Sequence, residues 1–216
     1  MNTVSVAILV CVVAVAGLLV AERRGSQTGK WLAKPIASAA FVAVALGSGA
    51  LESSYGLFLL AGLLLCLVGD ILLIPATRAA VFRAGVFAFL AGHLAYAAAF
   101  LTRPLSPAWL FIAGAALTLV LWQVWRWLRP TLPADMRKPV QAYFAVIAVM
   151  ATLACSLTAA GGPATVAVGA LAFAASDVSV ARDRFVRPQF INRVWGLPLY
   201  YAAQVLLASS AAAMLR

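Results

Sequence analysis

Two aspartates stand in stretches that are otherwise almost wholly apolar: Asp70 in Leu67-Val68-Gly69-Asp70-Ile71-Leu72-Leu73, and Asp177 in Phe173-Ala174-Ala175-Ser176-Asp177-Val178. A carboxylate in such surroundings is costly unless it faces a polar interior, so each is a functional candidate by default. Two carboxylates at one low-dielectric site resist ionising together and suit chemistry that needs one protonated and one ionised acid. Few other strongly polar groups fall in the apolar stretches. They are His93, Tyr96, Tyr143, Tyr200, Tyr201 and Gln204, and Lys34 can reach in along its aliphatic stem. A structural reading stands beside the chemical one. The acids could be buried partners of Lys or Arg that fix helix packing, His93 an interhelical hydrogen bond, and Tyr143 or Tyr201 interfacial anchors.

The elements that must position these groups follow from composition. A chain of 216 residues that is 65% hydrophobic and 10% charged, with mean hydropathy +1.02, lies far from a soluble domain. It reads as one all-α integral membrane domain over residues 1–216. With about 20 apolar residues needed per crossing, the sequence divides into eight helical spans: 3–21, 35–51, 56–75, 80–101, 107–126, 139–158, 163–181 and 194–214. Pro35 and Pro139 are expected near first turns, and Pro75, Pro104, Pro130 and Pro163 in or beside the connections. The first apolar segment has no small-x-small pattern after Ala21, so it reads as a retained helix and not a cleaved signal peptide.

Positive charge tests the count, because Lys and Arg accumulate in cytoplasmic loops. The loops after spans one, three, five and seven hold 14 of the 16 Lys and Arg, leaving Arg103 and Arg216 for the other side. A miscounted helix would scramble this alternation. The bias therefore predicts an eight-helix bundle with both termini non-cytoplasmic. It also predicts that Asp70 and Asp177, on spans that both run inward, lie at one depth near the cytoplasmic end.

Spacing suggests a duplicated four-helix unit. Lys34-Pro35 and Lys138-Pro139 are 104 residues apart, Asp70 and Asp177 are 107 apart, and His93 follows Asp70 by the same 23 residues by which Tyr200 follows Asp177. Two such halves would be related by an axis along the membrane normal, bringing equivalent positions toward the centre.

Several chemistries are disfavoured. A catalytic zinc takes three protein ligands, and a single histidine with two acids is a poor source of them. No Gly-x-Ser-x-Gly elbow accompanies His93. Cys11, Cys66 and Cys155 lack CxxC spacing and read as small buried residues. The net charge of +10 is explained by topology without nucleic acid. Asp135 and Asp183, in basic loops, read as solvated ion-pair partners. Glu22 closes span one, and Glu52 reads as a helix-start charge.

The ordered set is nevertheless characteristic. Lys34-Pro35, Gly69-Asp70 with Leu72 and Leu73, Phe87 through Gly92-His93-Leu94 with Tyr96, Lys138-Pro139-Val140 with Tyr143, Ser176-Asp177, and Tyr200-Tyr201 with Gln204 together resemble the lysoplasmalogenase (YhhN-like) family of multispanning membrane proteins. The resemblance covers residues 34 to 207, and span one carries no matching motif. It implies hydrolysis of the vinyl ether bond of a lysoplasmalogen to a fatty aldehyde and glycerophosphoethanolamine or glycerophosphocholine. No metal or cofactor would be required, and Asp70 and Asp177 would be the catalytic pair. Protonation of the carbon distal to oxygen gives an oxocarbenium ion that water attacks, and the hemiacetal collapses. The division of labour is that of glycoside hydrolysis. One Asp would be the general acid and the other would orient water, in an order the sequence leaves open. Lys34, His93, Tyr96, Tyr143, Ser176, Tyr200, Tyr201 and Gln204 would bind or position substrate and water.

The expected partner is a lysophospholipid drawn from the membrane, with no nucleic acid and no protein partner implied. The expected location is a bacterial inner membrane, with the site near the cytoplasmic leaflet, where basic loops attract lipid phosphate. Two rival classes remain. A proton-coupled transporter would use the same Asp pair as a relay, moving substrate into liposomes without product. A membrane scaffold would tolerate Asn at both positions with effects on stability alone.

Overall fold

The computed structural model describes residues 2–75 and 78–215; Arg216, expected on the sparsely charged side, lies outside them. Among the described residues there is no strand. The long helices are α1 (Thr3–Arg23), α2 (Gln27–Gly47), α3 (Ser54–Leu72), α4 (Ala79–Leu101), α5 (Pro107–Leu128), α6 (Ala134–Ala159), α7 (Ala164–Ala181) and α8 (Phe190–Ala213). Their starts follow local chemistry. The side chains of Asn2, Ser26 and Ser53 accept from the backbone N–H three residues on, at 2.8, 3.1 and 3.0 Å. Each satisfies a donor the first turn leaves unpaired. Pro107 opens α5, where its missing N–H costs nothing.

Among the described residues, seven helices, α1 to α7, are long and apolar enough to cross a membrane. α8 has the length, at 24 residues, but Asn192, Arg193, Tyr200, Tyr201 and Gln204 put its composition below the others. α2 departs most from expectation, beginning at Gln27 instead of 35. The Ser26 cap starts it a full two turns earlier, so Pro35 lies inside the helix, as Pro139 does in α6. An internal proline removes one helical hydrogen bond, a loss that neighbouring helices and side-chain hydroxyls make good in a membrane bundle. Separately, the Tyr201 hydroxyl reaches the Lys34 carbonyl at 3.5 Å, while the acceptor that Pro35 leaves without its helical donor is the Trp31 carbonyl.

The helices close into a ring in which α2 packs on α3, α3 on α4, α4 on α6, α6 on α7, α7 on α8 and α8 back on α2. α1 lies outside α2 and α8. α5 leans on α6 and buries little beyond Ala113 and Leu128. Without a hydrophobic drive between helices in lipid, close backbone approach governs association. The α3–α4 crossing shows this: a Cβ on Gly92 would lie 2.8 Å from Cys66 Sγ, and one on Gly62 would lie 3.1 Å from the Gly92 carbonyl oxygen.

The helix ends gather on two faces. Arg103 donates to the Met214 carbonyl, which joins the α4–α5 connection to the end of α8. On the opposite face Glu22 at the end of α1 pairs with Arg193 at the start of α8, and Arg83 of α4 faces Asp135 of α6. The second face carries the basic connections, and both acids sit close to it. Asp70 is two residues from the last residue of α3, nearer the end than expected because that helix stops at Leu72 rather than 75. Asp177 is four residues from the end of α7.

Candidate active site

Asp70 and Asp177 line a single cavity of about 260 Å³ that opens among the helix ends of the basic face. Four of the expected positioning residues, Lys34, Tyr143, Ser176 and Tyr200, line it as well. Its walls toward α4, α6 and the turn after α7 are apolar, built from Phe82, Val86, Met136, Val140, Phe144 and Phe185. The rim carries Glu22, Asp183, Arg184, Asn192 and Arg193.

The two carboxylates have separate partners. Asp70, 2% exposed, faces only donors. Lys34 Nζ lies 3.2 Å from Oδ1, and the hydroxyls of Ser38 and Tyr200 each donate to Oδ2 at 2.7 Å. The buried-pair reading is therefore met at Asp70, with Lys34 as the counter-charge. Lys34 and Ser38 lie one turn apart on the same face of α2, the spacing at which helical side chains converge. Ser38 is the one partner of Asp70 absent from the residues expected at the site, and its spacing from Lys34 is the signal that points to it. Deep burial of these charges is tolerable only because every oxygen has a partner.

Asp177 differs. Tyr143 donates its hydroxyl to Oδ2 at 3.1 Å, and His93 Nε2 approaches the same oxygen at 3.4 Å. His93 has no exposed surface; its ring lies 4.2 Å from that of Phe173, one turn before Asp177 on α7. His93 Nδ1 bonds the Phe89 carbonyl at 2.8 Å. A carbonyl oxygen can only accept, so Nδ1 carries a hydrogen and Nε2 is the atom left to face the carboxylate. Nε2 makes no hydrogen bond of good geometry among the described residues.

Tyr96, Tyr201 and Gln204 lie behind the wall. The Tyr96 hydroxyl donates to Gln204 Oε1 at 2.6 Å, and both side chains are fully enclosed and off the cavity surface. Tyr201 is 1% exposed, with its hydroxyl 3.3 Å from Ser38 Oγ, so it backs the Asp70 cluster and is no interfacial anchor. Tyr143 points to Asp177 and is no anchor either. Ser176 donates to the Phe173 carbonyl at 2.7 Å within its own helix.

The rim corrects the reading of Asp183 as a solvated ion-pair partner. Asp183 accepts from Gln189 N–H and from Asn192 Nδ2, both at 3.1 Å, and pairs with Arg193 at 3.2 Å. Asn192 is 1% exposed; its amide also bonds the Arg187 carbonyl at 2.9 Å, while its oxygen accepts from Arg182 at 2.7 Å. Glu22 takes both Arg193 and Lys30, the latter at 3.1 Å. The rim is thus a built network joining α1, α2 and α8 to the turn after α7. Asp135 behaves as expected: it sits 3.9 Å from Arg83 with both side chains largely in solvent.

Each acid draws partners from both halves of the chain. Asp70 takes a hydroxyl from α2 of its own half and Tyr200 from the other; Asp177 takes a hydroxyl from α6 of its own half and His93 from the other.

The model of the YhhN family matches residues 29–211. Lysoplasmalogenase TMEM86A of Bos taurus is 31% identical over 156 residues, covering 69% of this chain and 63% of that protein. Lysoplasmalogenase TMEM86B of Sus scrofa is 35% identical over 156 residues (70% and 62%), and TMEM86B of Homo sapiens is 40% identical over 159 residues (71% and 63%). The chain thus spans somewhat less than two thirds of the length of these curated relatives. No solved structure matches it.

Proposed function

The chain belongs to the YhhN family, and from that premise we propose that it is a membrane hydrolase cleaving the vinyl ether bond of a lysoplasmalogen. The products would be a fatty aldehyde and glycerophosphoethanolamine or glycerophosphocholine. The observation that carries the reading is one cavity lined by two carboxylates in contrasting surroundings, one met only by donors and the other backed by an imidazole. Relatives named lysoplasmalogenase support the substrate class.

The contrast supports a division of roles. Asp177, backed by His93 Nε2 at 3.4 Å, carries the proton and is the general acid. That proton goes to the vinyl carbon distal to oxygen: the alkene π pair forms the new C–H bond, and an oxygen lone pair spreads the positive charge into an oxocarbenium ion. Asp70, supplied with three donors and balanced by Lys34, stays a carboxylate. It faces the developing cation and takes a proton from the attacking water. The hemiacetal then breaks its bond to the glycerol oxygen, which takes the proton from Asp70 and leaves as the alcohol, while the hemiacetal hydroxyl gives its proton to Asp177 and its carbon becomes the aldehyde. The balance is one vinyl ether and one water to one aldehyde and one alcohol, with the proton on Asp177 restored. The apolar wall toward α4 and α6 receives the hydrocarbon chain.

In this reading α8 is an eighth span, its polar side chains turned to the centre of the ring. The basic face is cytoplasmic, which leaves both termini on the other side and the cavity at the inner leaflet of a bacterial plasma membrane. The crossed pairing of each acid with the residue 23 positions after the other supports a duplicated four-helix unit.

Purified protein in lipid nanodiscs, given a vinyl ether lysolipid, tests the proposal by aldehyde release. Wild type turns over; Asp177→Asn and Asp70→Asn each fall by at least about 100-fold, the scale of a lost acid or base. Aldehyde from either variant at near wild-type rate would overturn the two-acid mechanism. A folded wild type that yields none would overturn the activity.

A further inference from the structure

Three cations line the cavity: Lys34, Arg184 and Arg193. Two are spoken for. Lys34 pairs with Asp70, and Arg193 is held between Glu22 and Asp183. Arg184 alone has no carboxylate within ion-pair distance among the described residues. Its guanidinium lies over the Phe82 ring, 4.4 Å from the centroid, and that ring is itself part of the cavity wall. A cation over an aromatic face is held in place while its N–H groups remain free to bond a ligand.

The position fits a ligand's phosphate. Arg184 follows Asp177 by seven residues on α7 and the turn Arg182–Val186 that continues it, about 10 Å along the axis. An extended glycerol unit places phosphorus about 7 Å from the vinyl ether carbon, and a guanidinium bonding phosphate adds about 4 Å. With the reacting carbon at Asp177, the phosphate falls at the rim beside Arg184. Neighbouring Asn192 and Asp183 lock the turn that carries it through the bonds described above.

We propose that Arg184, stacked on Phe82, is the phosphate-binding residue of the lysolipid headgroup, and that Arg193 is a structural member of the rim. The proposal rests on the hydrolase reading for the identity of the ligand but makes a separate claim about binding.

The experiment measures aldehyde release from a vinyl ether lysophospholipid and from the corresponding 1-alkenylglycerol, which lacks phosphate, in neutral-lipid nanodiscs. In parallel, binding of a saturated alkyl-ether lysophospholipid is measured by titration calorimetry. Arg184→Gln raises KM for the phospholipid by about tenfold or more, the scale of one lost charge-assisted contact, with kcat little changed. It leaves the alkenylglycerol unaffected, and Arg184→Lys recovers part of the loss. Glycerophosphate competes with the phospholipid in wild type and loses that effect in Arg184→Gln. An equal change on both substrates would show a structural role, and no change on either would show an idle surface arginine; both overturn the proposal. If wild type releases no aldehyde but binds the saturated lysolipid in an Arg184-dependent way, the hydrolase reading fails and the phosphate site stands.

Discussion

Lys34 of α2 and Asp70 of α3 face each other at 3.2 Å with side chains only 12% and 3% exposed. Two opposite charges so far from water depend on each other. Removing one strands its partner, at about 3–5 kcal/mol, whereas removing both at once costs much less. Lys34→Met and Asp70→Asn are each expected to lower stability by about 3 kcal/mol, and the double variant by less than either alone. Thermal unfolding in one detergent, read as a double-mutant cycle, checks this. It also separates loss of fold from loss of chemistry in the Asp70 variant.

His93 tests the proton source. Gln has the size to fill the space but offers no nitrogen that can pass a proton to Asp177. His93→Gln is expected to lower kcat by about 10- to 100-fold while unfolding at nearly the wild-type temperature. A wild-type kcat would place the acid elsewhere.

Two adjacent tyrosines should behave differently. Tyr200 donates to Asp70 at 2.7 Å, while the Tyr201 hydroxyl sits 3.3 Å from Ser38 and touches neither acid. Tyr200→Phe is expected to reduce kcat/KM by about tenfold, the scale of a hydrogen bond to a charged group. Tyr201→Phe should change it by less than about threefold. Steady-state rates of the two variants settle the comparison.

Packing at the α3–α4 crossing leaves no room for a methyl group. Gly92→Ala brings Cβ to 2.8 Å from Cys66 Sγ, and overpacking of this kind costs about 1–3 kcal/mol. A lowered unfolding temperature is expected, with partial recovery in Gly92→Ala/Cys66→Ala, where the sulfur is gone.

Much of this molecule is legible in the sequence. Apolar runs broken by prolines mark the helices, because lipid leaves the backbone no other way to satisfy itself. Asp70, Asp177 and most of their partners stand out because polarity inside an apolar run needs a reason. The beginning of α2 is harder to place, because Pro35 looks like a start signal while Ser26 supplies the cap. Gln204 and Tyr96 are legible as interior polar groups, but hydropathy carries no information about which side of a wall a side chain faces. The rim is hidden for a related reason. Asp183, Asn192 and Arg193 lie in a segment whose composition is that of any basic loop, and only the turn Arg182–Val186 folds them onto Glu22.

The cavity has unlike boundaries, hydrocarbon-lined toward α4 and α6 and charged at the rim. Under the proposed hydrolysis, a long-chain aldehyde would leave sideways into lipid, whereas a glycerophosphodiester would dissolve in water past the arginines. The two fragments would depart into different phases, and partition as well as bond energy would draw the reaction forward.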